Sequence, residues 1–161
     1  MGGGAPHETD TDSYDGASFT RVATLPFVAD RAGAYAVGNK IYLFGGGPLG
    51  MGQETGSLDT SSARNQWVTL ARSPVDFGGW SPTVGQFGST LLVEARTNVF
   101  SIKNFHRYDI TSNTWAETPL ESPSGMHWRL AMVGATVYAL GTRNDANFRP
   151  GVVLYKLLAL P

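Results

Sequence analysis

The sequence repeats one block of residues at intervals close to 50 positions, and this repeat limits the folds open to the chain more than any other feature. The block starts at Gly38 (GNKIYLFGG), returns at Gly88 (GSTLLVEA) and returns again at Gly134 (GATVYALG), so successive copies are 50 and 46 residues apart. Each copy has a glycine turn followed by alternating apolar residues, which predicts a strand leaving a hairpin turn. A period of this length predicts one supersecondary unit stacked several times.

A second marker follows the same period. Phe19, Trp67 and Trp115 each open a short extended run, and they lie 48 residues apart. No window shows the sustained apolar spacing of a helix, and the 20 glycines and 9 prolines are typical of a turn-rich β protein. The sequence therefore predicts an all-β chain whose strands follow one another as antiparallel meanders.

The repeated unit resembles the kelch repeat, for which a period of about 50 residues is typical. The resemblance covers most of residues 14–157. It rests on a basic residue and a glycine in the first strand (Arg31 and Gly33), a glycine pair after the second strand (Gly45 and Gly46), and an aromatic-acidic pair before a tryptophan (Tyr108, Asp109 and Trp115). The resemblance implies a partial kelch-like β-propeller of about three four-stranded antiparallel blades, with Trp67 and Trp115 packed between blades.

The repeat also suggests how the chain is divided. We expect a flexible acidic tail over residues 1–12, because it contains glycine, proline and acidic residues without apolar periodicity. A single kelch-like repeat domain follows over 13–161, with a blade remnant at 13–26 and blades at about 27–73, 74–122 and 123–161. A calcium loop at Asp10, Asp12 and Asp15 is disfavoured, because Arg21 stands where a bidentate glutamate is needed.

Three blades leave a propeller incomplete. Closed propellers have about 4 to 8 blades, and an open arrangement exposes apolar end faces and an unpaired strand edge. We therefore expect a homodimer or a protein partner to complete the propeller. In one arrangement the strand at Phe19–Leu25 completes the last blade of a second copy. A piece of a longer propeller and a larger assembly are the alternatives.

Signals for catalysis are poor. The histidines are His7, His106 and His127, and neither a paired-histidine motif nor a phosphate-binding loop nor a nucleophile elbow occurs. The chain has no cysteine, which excludes thiolate metal sites. We expect a protein that is not an enzyme and has no catalytic residue, metal site or cofactor.

One face of the predicted propeller carries basic and aromatic residues. Aligning the repeats places Arg31 and His127 at one equivalent position, seven residues before the turn glycine. The candidate binding residues on this loop face are Arg31, Trp80, Arg96, His127, Trp128, Arg129, Arg143 and Arg149. Arginine and tryptophan are favoured binding anchors, so the face predicts recognition of an acidic peptide or a carbohydrate. A solvated rim is the alternative.

These observations favour a non-catalytic protein-binding or assembly module. The alternative is a sugar-binding or sugar-acid-modifying propeller, since kelch-like propellers include sialic-acid epimerases, and Arg31, His127 and Arg129 would suit a sugar carboxylate. Copper radical oxidases share the fold, but their cysteine has no counterpart here. With a net charge of −1 and no cationic stripe, nucleic acid is not expected. No apolar run reaches the ~18 residues of a membrane span, and the lack of glycosylation sequons favours an intracellular soluble protein.

Overall fold

The computed structural model describes residues 9–46, 52–77, 82–95, 103–122, 128–133, 136–144 and 150–157. The chain forms two compact units, Met1–Ser81 and Pro82–Pro161, where the sequence predicts one domain. Every element in the described ranges is a β-strand and every pairing is antiparallel, which confirms the predicted all-β fold class. A helix that could cross a membrane is not found in them.

The first unit contains a two-stranded hairpin and a four-stranded meander. Its strands are β1 (Asp10–Tyr14), β2 (Phe19–Thr24), β3 (Gly33–Val37), β4 (Lys40–Phe44), β5 (Thr55–Asp59) and β6 (Trp67–Thr69). The hairpin pairs β1 with β2, and the meander has the order β3-β4-β5-β6. The predicted blade remnant is therefore a hairpin of two strands.

The second unit contains a four-stranded meander followed by a three-stranded one. Its strands are β7 (Val84–Phe87), β8 (Thr90–Ala95), β9 (Lys103–Asp109), β10 (Thr114–Ser122), β11 (Trp128–Val133), β12 (Thr136–Asn144) and β13 (Pro150–Leu157). The orders are β7-β8-β9-β10 and β11-β12-β13. Strand β7 contacts both β11 and β12, so the two sheets pack beside each other within this unit.

Two of the glycines that mark the repeat, Gly38 and Gly88, close tight hairpins. Gly38 and Gly88 both have φ of 56°, and the register pairs Val37 with Lys40 and Phe87 with Thr90 across them. A positive φ at the first of two loop residues is what a type II′ hairpin turn requires, and glycine supplies it without steric cost. The repeated glycine therefore fixes the register of β3–β4 and β7–β8 in the same way.

An aspartate recurs at the turn between the third and fourth strands. Asp15, Asp59 and Asp109 stand at equivalent places, and each accepts backbone N–H groups from its own turn at 2.8–3.0 Å. Hydrogen bonds to a carboxylate favour its charged form. They hold the pKa of all three aspartates below its ordinary value, led by bonds from Ser18, Ser61 and Ser112 respectively. The β1–β2 hairpin is thus the counterpart of β5–β6 and β9–β10.

One buried apolar cluster of the first unit joins the hairpin to the meander. Trp67 is 7% exposed and packs with Ala23 of β2 and Leu58 of β5. Its Nε1 donates a hydrogen bond of 2.8 Å to Oγ1 of Thr11 in β1. The ring therefore joins neighbouring blades, as predicted. Trp115, its counterpart in the second unit, is only half-buried.

The hairpin begins earlier than the sequence suggests. Asp10 and Asp12 belong to the stretch predicted as a flexible tail, yet they lie in β1 and pair with β2. Both carboxylates form ion pairs with Arg21 of β2. Because Asp15 is bound to its own turn, the three acidic side chains do not converge on one point as a calcium loop would require.

Candidate functional site

Four of the predicted loop-face residues lie outside the described residues: Trp80, Arg96, His127 and Arg149. Arg31 is exposed in the turn before β3 and has φ of 55°, an uncommon left-handed conformation for a residue with a side chain. It belongs to the first unit, whereas the other described members, Trp128, Arg129 and Arg143, belong to the second. Their joint use as one site stays a prediction.

Trp128, Arg129 and Arg143 occupy one end of the three-stranded sheet. Trp128 and Arg129 begin β11, while Arg143 is next to the last residue of β12. The register pairs Trp128 with Gly141 and Arg143 with Gly151. Because neighbouring antiparallel strands run in opposite directions, the start of β11 and the end of β12 coincide. The backbone therefore brings these three residues to one edge, and their role in binding stays a prediction.

A polar groove crosses the outer strands of the β7–β10 sheet. It has a volume of about 240 Å³ and is lined by Thr90, Arg107, Asp109, Ser112, Thr114 and Ala116. Cross-strand pairing places Thr90, Asp109 and Thr114 in one row and Arg107 with Ala116 in the next. The groove thus offers a guanidinium group, a carboxylate and three hydroxyl groups within one shallow surface.

The two charged groups of the groove differ in their hydrogen bonding. The Asp109 carboxylate accepts bonds from its turn and from the Ser89 hydroxyl at 3.2 Å. The Nε atom of Arg107 is buried and has no hydrogen-bond partner. A buried donor without a partner is costly, and the Arg107 side chain is the one cationic group among the residues that line this groove. The sequence analysis did not identify Arg107 as a candidate binding residue, because a single charged residue within a strand does not recur with the repeat.

An apolar pair recurs in the hairpin and across the outer two strands of both four-stranded sheets. Tyr14 pairs with Phe19, Leu58 with Trp67 and Tyr108 with Trp115. Leu58, Trp67 and Tyr108 are buried, whereas Tyr14 is 59% exposed and Phe19 is 74% exposed. The pair at the hairpin is therefore the most exposed of the three pairs.

The exposed pair is held in place by its own hairpin. The two rings are stacked with centroids 4.7 Å apart, and the Tyr14 hydroxyl donates a hydrogen bond of 2.7 Å to the carbonyl of Gly16. The register shifts between Thr11 and Asp12, so that Thr11 and its partner Ala23 face Trp67, whereas Tyr14 and Phe19 lie exposed on the other face. We call the exposed surface of Tyr14 and Phe19 the hairpin face. Since its rings are already ordered, a partner that covers them loses little side-chain entropy.

A second exposed apolar surface lies on the three-stranded sheet. Leu140 of β12 pairs with Leu154 of β13, and Val152 lies two residues from Leu154 on the same face. Leu140, Val152 and Leu154 are all exposed, Val152 at 76%. We call these three residues the sheet face. Contiguous exposed apolar residues mark interaction surfaces, whereas single ones need no explanation.

Comparison with known proteins supports the fold. No protein-family model matches the chain, and no curated protein sequence matches it. A solved structure titled "Structure of YjhT" superposes with a TM-score of 0.57 at 20% sequence identity, covering 73% of this chain and 35% of that one. The chain has a propeller-like fold. It spans about a third of the length of that neighbour, and at this identity the likeness concerns the fold alone. The kelch assignment stays a prediction from the repeat.

Proposed function

We propose that this chain is a non-catalytic protein-binding or assembly module built from kelch-like repeats, which binds a second copy or another protein through its exposed blade faces. The observation that carries the proposal is the hairpin face. Tyr14 and Phe19 repeat a pair that is covered at Leu58 and Trp67, yet they are largely exposed.

Burial of these exposed apolar side chains would contribute substantially to the free energy of binding. Full burial of an aromatic side chain such as Phe19 contributes about 1.5–3 kcal/mol. Aromatic side chains are also enriched at interfaces, where they act as anchors in the centre of the contact. A partner that covers both rings and the sheet face would therefore gain several such contributions, and these would offset the cost of association.

The described histidine supports a structural role over a catalytic one. His106 is buried in β9, opposite Glu117 of β10 and on the other face of the sheet from the Arg107 groove. Burial lowers the pKa of His106, and the nearby Glu117 carboxylate opposes this only in part. A buried neutral histidine away from the groove cannot exchange protons with a ligand held there.

The test is the molar mass of the purified chain in solution, measured by light scattering over a range of concentrations. We expect a mass of two or more chains, or capture of one defined protein partner in a stoichiometric complex. A chain that stays monomeric at every concentration, melts cooperatively and binds no protein would refute the module proposal.

The Arg107 groove favours carbohydrate binding as a second candidate function. The Arg107 guanidinium and the hydroxyl groups of Thr90, Ser112 and Thr114 line it and are suited to a polyol or a sugar acid. Titration with neutral sugars and sugar acids, followed by NMR, should show binding that Arg107→Gln weakens. The exposed Arg64→Gln is the matched control, and equal binding by both variants would exclude the groove.

The loop face makes a different prediction for the same ligands. If it is the site, Arg129→Glu and Arg143→Glu should abolish binding, because both positions lie at one edge of the three-stranded sheet. Lys40→Glu, at the hairpin turn of another sheet, should leave binding unchanged. Loss with Lys40→Glu alone would place the binding surface elsewhere.

A further inference from the structure

The first unit shows how one blade covers the apolar pair of the next. Leu58 and Trp67 of the meander are buried against Ala23 of the hairpin, and Trp67 also binds Thr11. Thr11 and Ala23 are cross-strand partners, so they lie on one face of the hairpin. The face of the meander that carries its apolar pair therefore packs on the side of the hairpin that does not carry Tyr14 and Phe19.

The hairpin itself presents an apolar pair that needs the same kind of cover. Tyr14 and Phe19 match Leu58 and Trp67 in register and in their place beside the recurring turn aspartate. If they pack in the same way, Tyr14 and Phe19 are covered by the side of another sheet that is opposite that sheet's own apolar pair.

The sheet face is a surface of that kind. Tyr138 follows its turn glycine by four residues, as Leu92 follows Gly88, so Tyr138 and Leu92 are equivalent. Leu92 pairs with Arg107 and thus lies on the face opposite Tyr108, the apolar-pair residue of its own sheet. Leu140, two residues after Tyr138, lies on this same face, and there it is exposed.

Charge is also complementary between the two surfaces. Asp12 and Arg21 are cross-strand partners on the same side of the hairpin as Tyr14, and Asp10 lies there too. Two carboxylates and one guanidinium leave this side with one net negative charge. Exposed Lys156 lies on the side of β13 that carries Val152 and Leu154. Such pairs chiefly fix orientation and register in a complex.

We propose that the occupant of the hairpin face is a second copy of this chain, docked so that Tyr14 and Phe19 of one copy pack on Leu140, Val152 and Leu154 of the next. The inference rests on the proposed assembly function and names its partner and both surfaces. The contact joins two different surfaces, so it is head-to-tail, and it gives a ring where the rotation closes. It also replaces the exchange of a single strand, because β2 is already paired with β1.

Two variants that each remove one surface test the contact. Phe19→Asp removes the hairpin face and keeps the sheet face, whereas Leu154→Asp does the reverse. Each variant alone should have the mass of one chain by light scattering. An equimolar mixture should form a complex of two chains, because one intact contact is restored. Val68→Asp, at an exposed apolar residue outside both surfaces, is the control and should associate like the unchanged chain.

The outcomes separate this inference from the broader proposal. Restoration of a two-chain complex in the mixture also shows that both variants are folded. If Phe19→Asp is monomeric while Leu154→Asp alone still associates, the hairpin faces bind each other and the head-to-tail contact is wrong. If both variants associate like the unchanged chain, the two surfaces are not used, although assembly itself stands. A monomeric unchanged chain overturns the second-copy inference, and binding to a different protein then decides the broader proposal.

Discussion

Truncating Trp67 should strongly destabilise the first unit. Its ring is 7% exposed, packs with Ala23 and Leu58, and donates a hydrogen bond of 2.8 Å to Thr11. Replacement of a buried tryptophan by alanine removes apolar contacts and leaves a cavity, at a cost of about 3–5 kcal/mol. We expect Trp67→Ala to lower the free energy of unfolding by about that amount.

Two further variants separate the contribution of ring packing from that of the hydrogen bond to Thr11. Trp67→Phe keeps most of the ring but removes the indole N–H, so the hydrogen bond alone contributes about 0.5–1.5 kcal/mol. Thr11→Val removes the acceptor and leaves the buried donor without a partner. In a double-mutant cycle of these two changes, a coupling energy of about 0.5–1.5 kcal/mol would measure the bond that joins the hairpin to the meander.

The assay is urea unfolding followed by circular dichroism, with amide hydrogen exchange of β1 and β2 as a local measurement. Trp67→Ala should raise exchange in the hairpin, because Trp67 is its contact with the meander. The control is Val68→Ala, the next residue of the same strand, which is 56% exposed and should change stability by less than about 0.5 kcal/mol. A loss below about 1 kcal/mol for Trp67→Ala, or unchanged exchange in the hairpin, would refute this account.

Two further changes test the second sheet and a close backbone contact. Burial lowers the pKa of His106, so the unfolded chain binds a proton at this residue at higher pH than the folded chain does, and stability should fall as the pH drops below about 6.5. His106→Gln should reduce the change in melting temperature between pH 7.5 and 5.5. An unaltered pH dependence would contradict this. Gly46→Ala should destabilise strongly, because φ is 109° and a Cβ atom would lie 2.8 Å from Ala29 Cα, whereas Gly38→Ala, with open space around it, should cost less in the same melts. Equal losses at both glycines would contradict the close approach.

The repeat predicted the inner hairpins well because their determinants are local. A glycine that takes positive φ and an alternating apolar strand suffice to define β4 at Lys40–Phe44 and β8 at Thr90–Ala95, the strands predicted to leave the turns at Gly38 and Gly88. The last blade, predicted at about 123–161, contains three strands in the structure, β11, β12 and β13, where the resemblance implies four. Period-2 patterns and turn residues act within a few positions, so the sequence alone is enough.

The start of the chain was harder to predict because its order depends on distant residues. Asp10 and Asp12 have no apolar pattern, yet they join β1 by pairing with β2 and with Arg21. The hairpin is then held by Trp67, whose partner Thr11 is 56 residues away in sequence. Local composition cannot predict a contact between residues so far apart in the sequence.

The candidate site shows the same division between local and tertiary causes. The sequence by itself determined that Phe19 and Trp67 occupy equivalent places, since both open the outermost strand of a repeat. Only the tertiary structure decided that Trp67 is buried and Phe19 exposed, because what covers a sheet face is another blade. For Trp67 that blade is the hairpin of its own unit, whereas the described residues of the first unit leave Phe19 open to solvent.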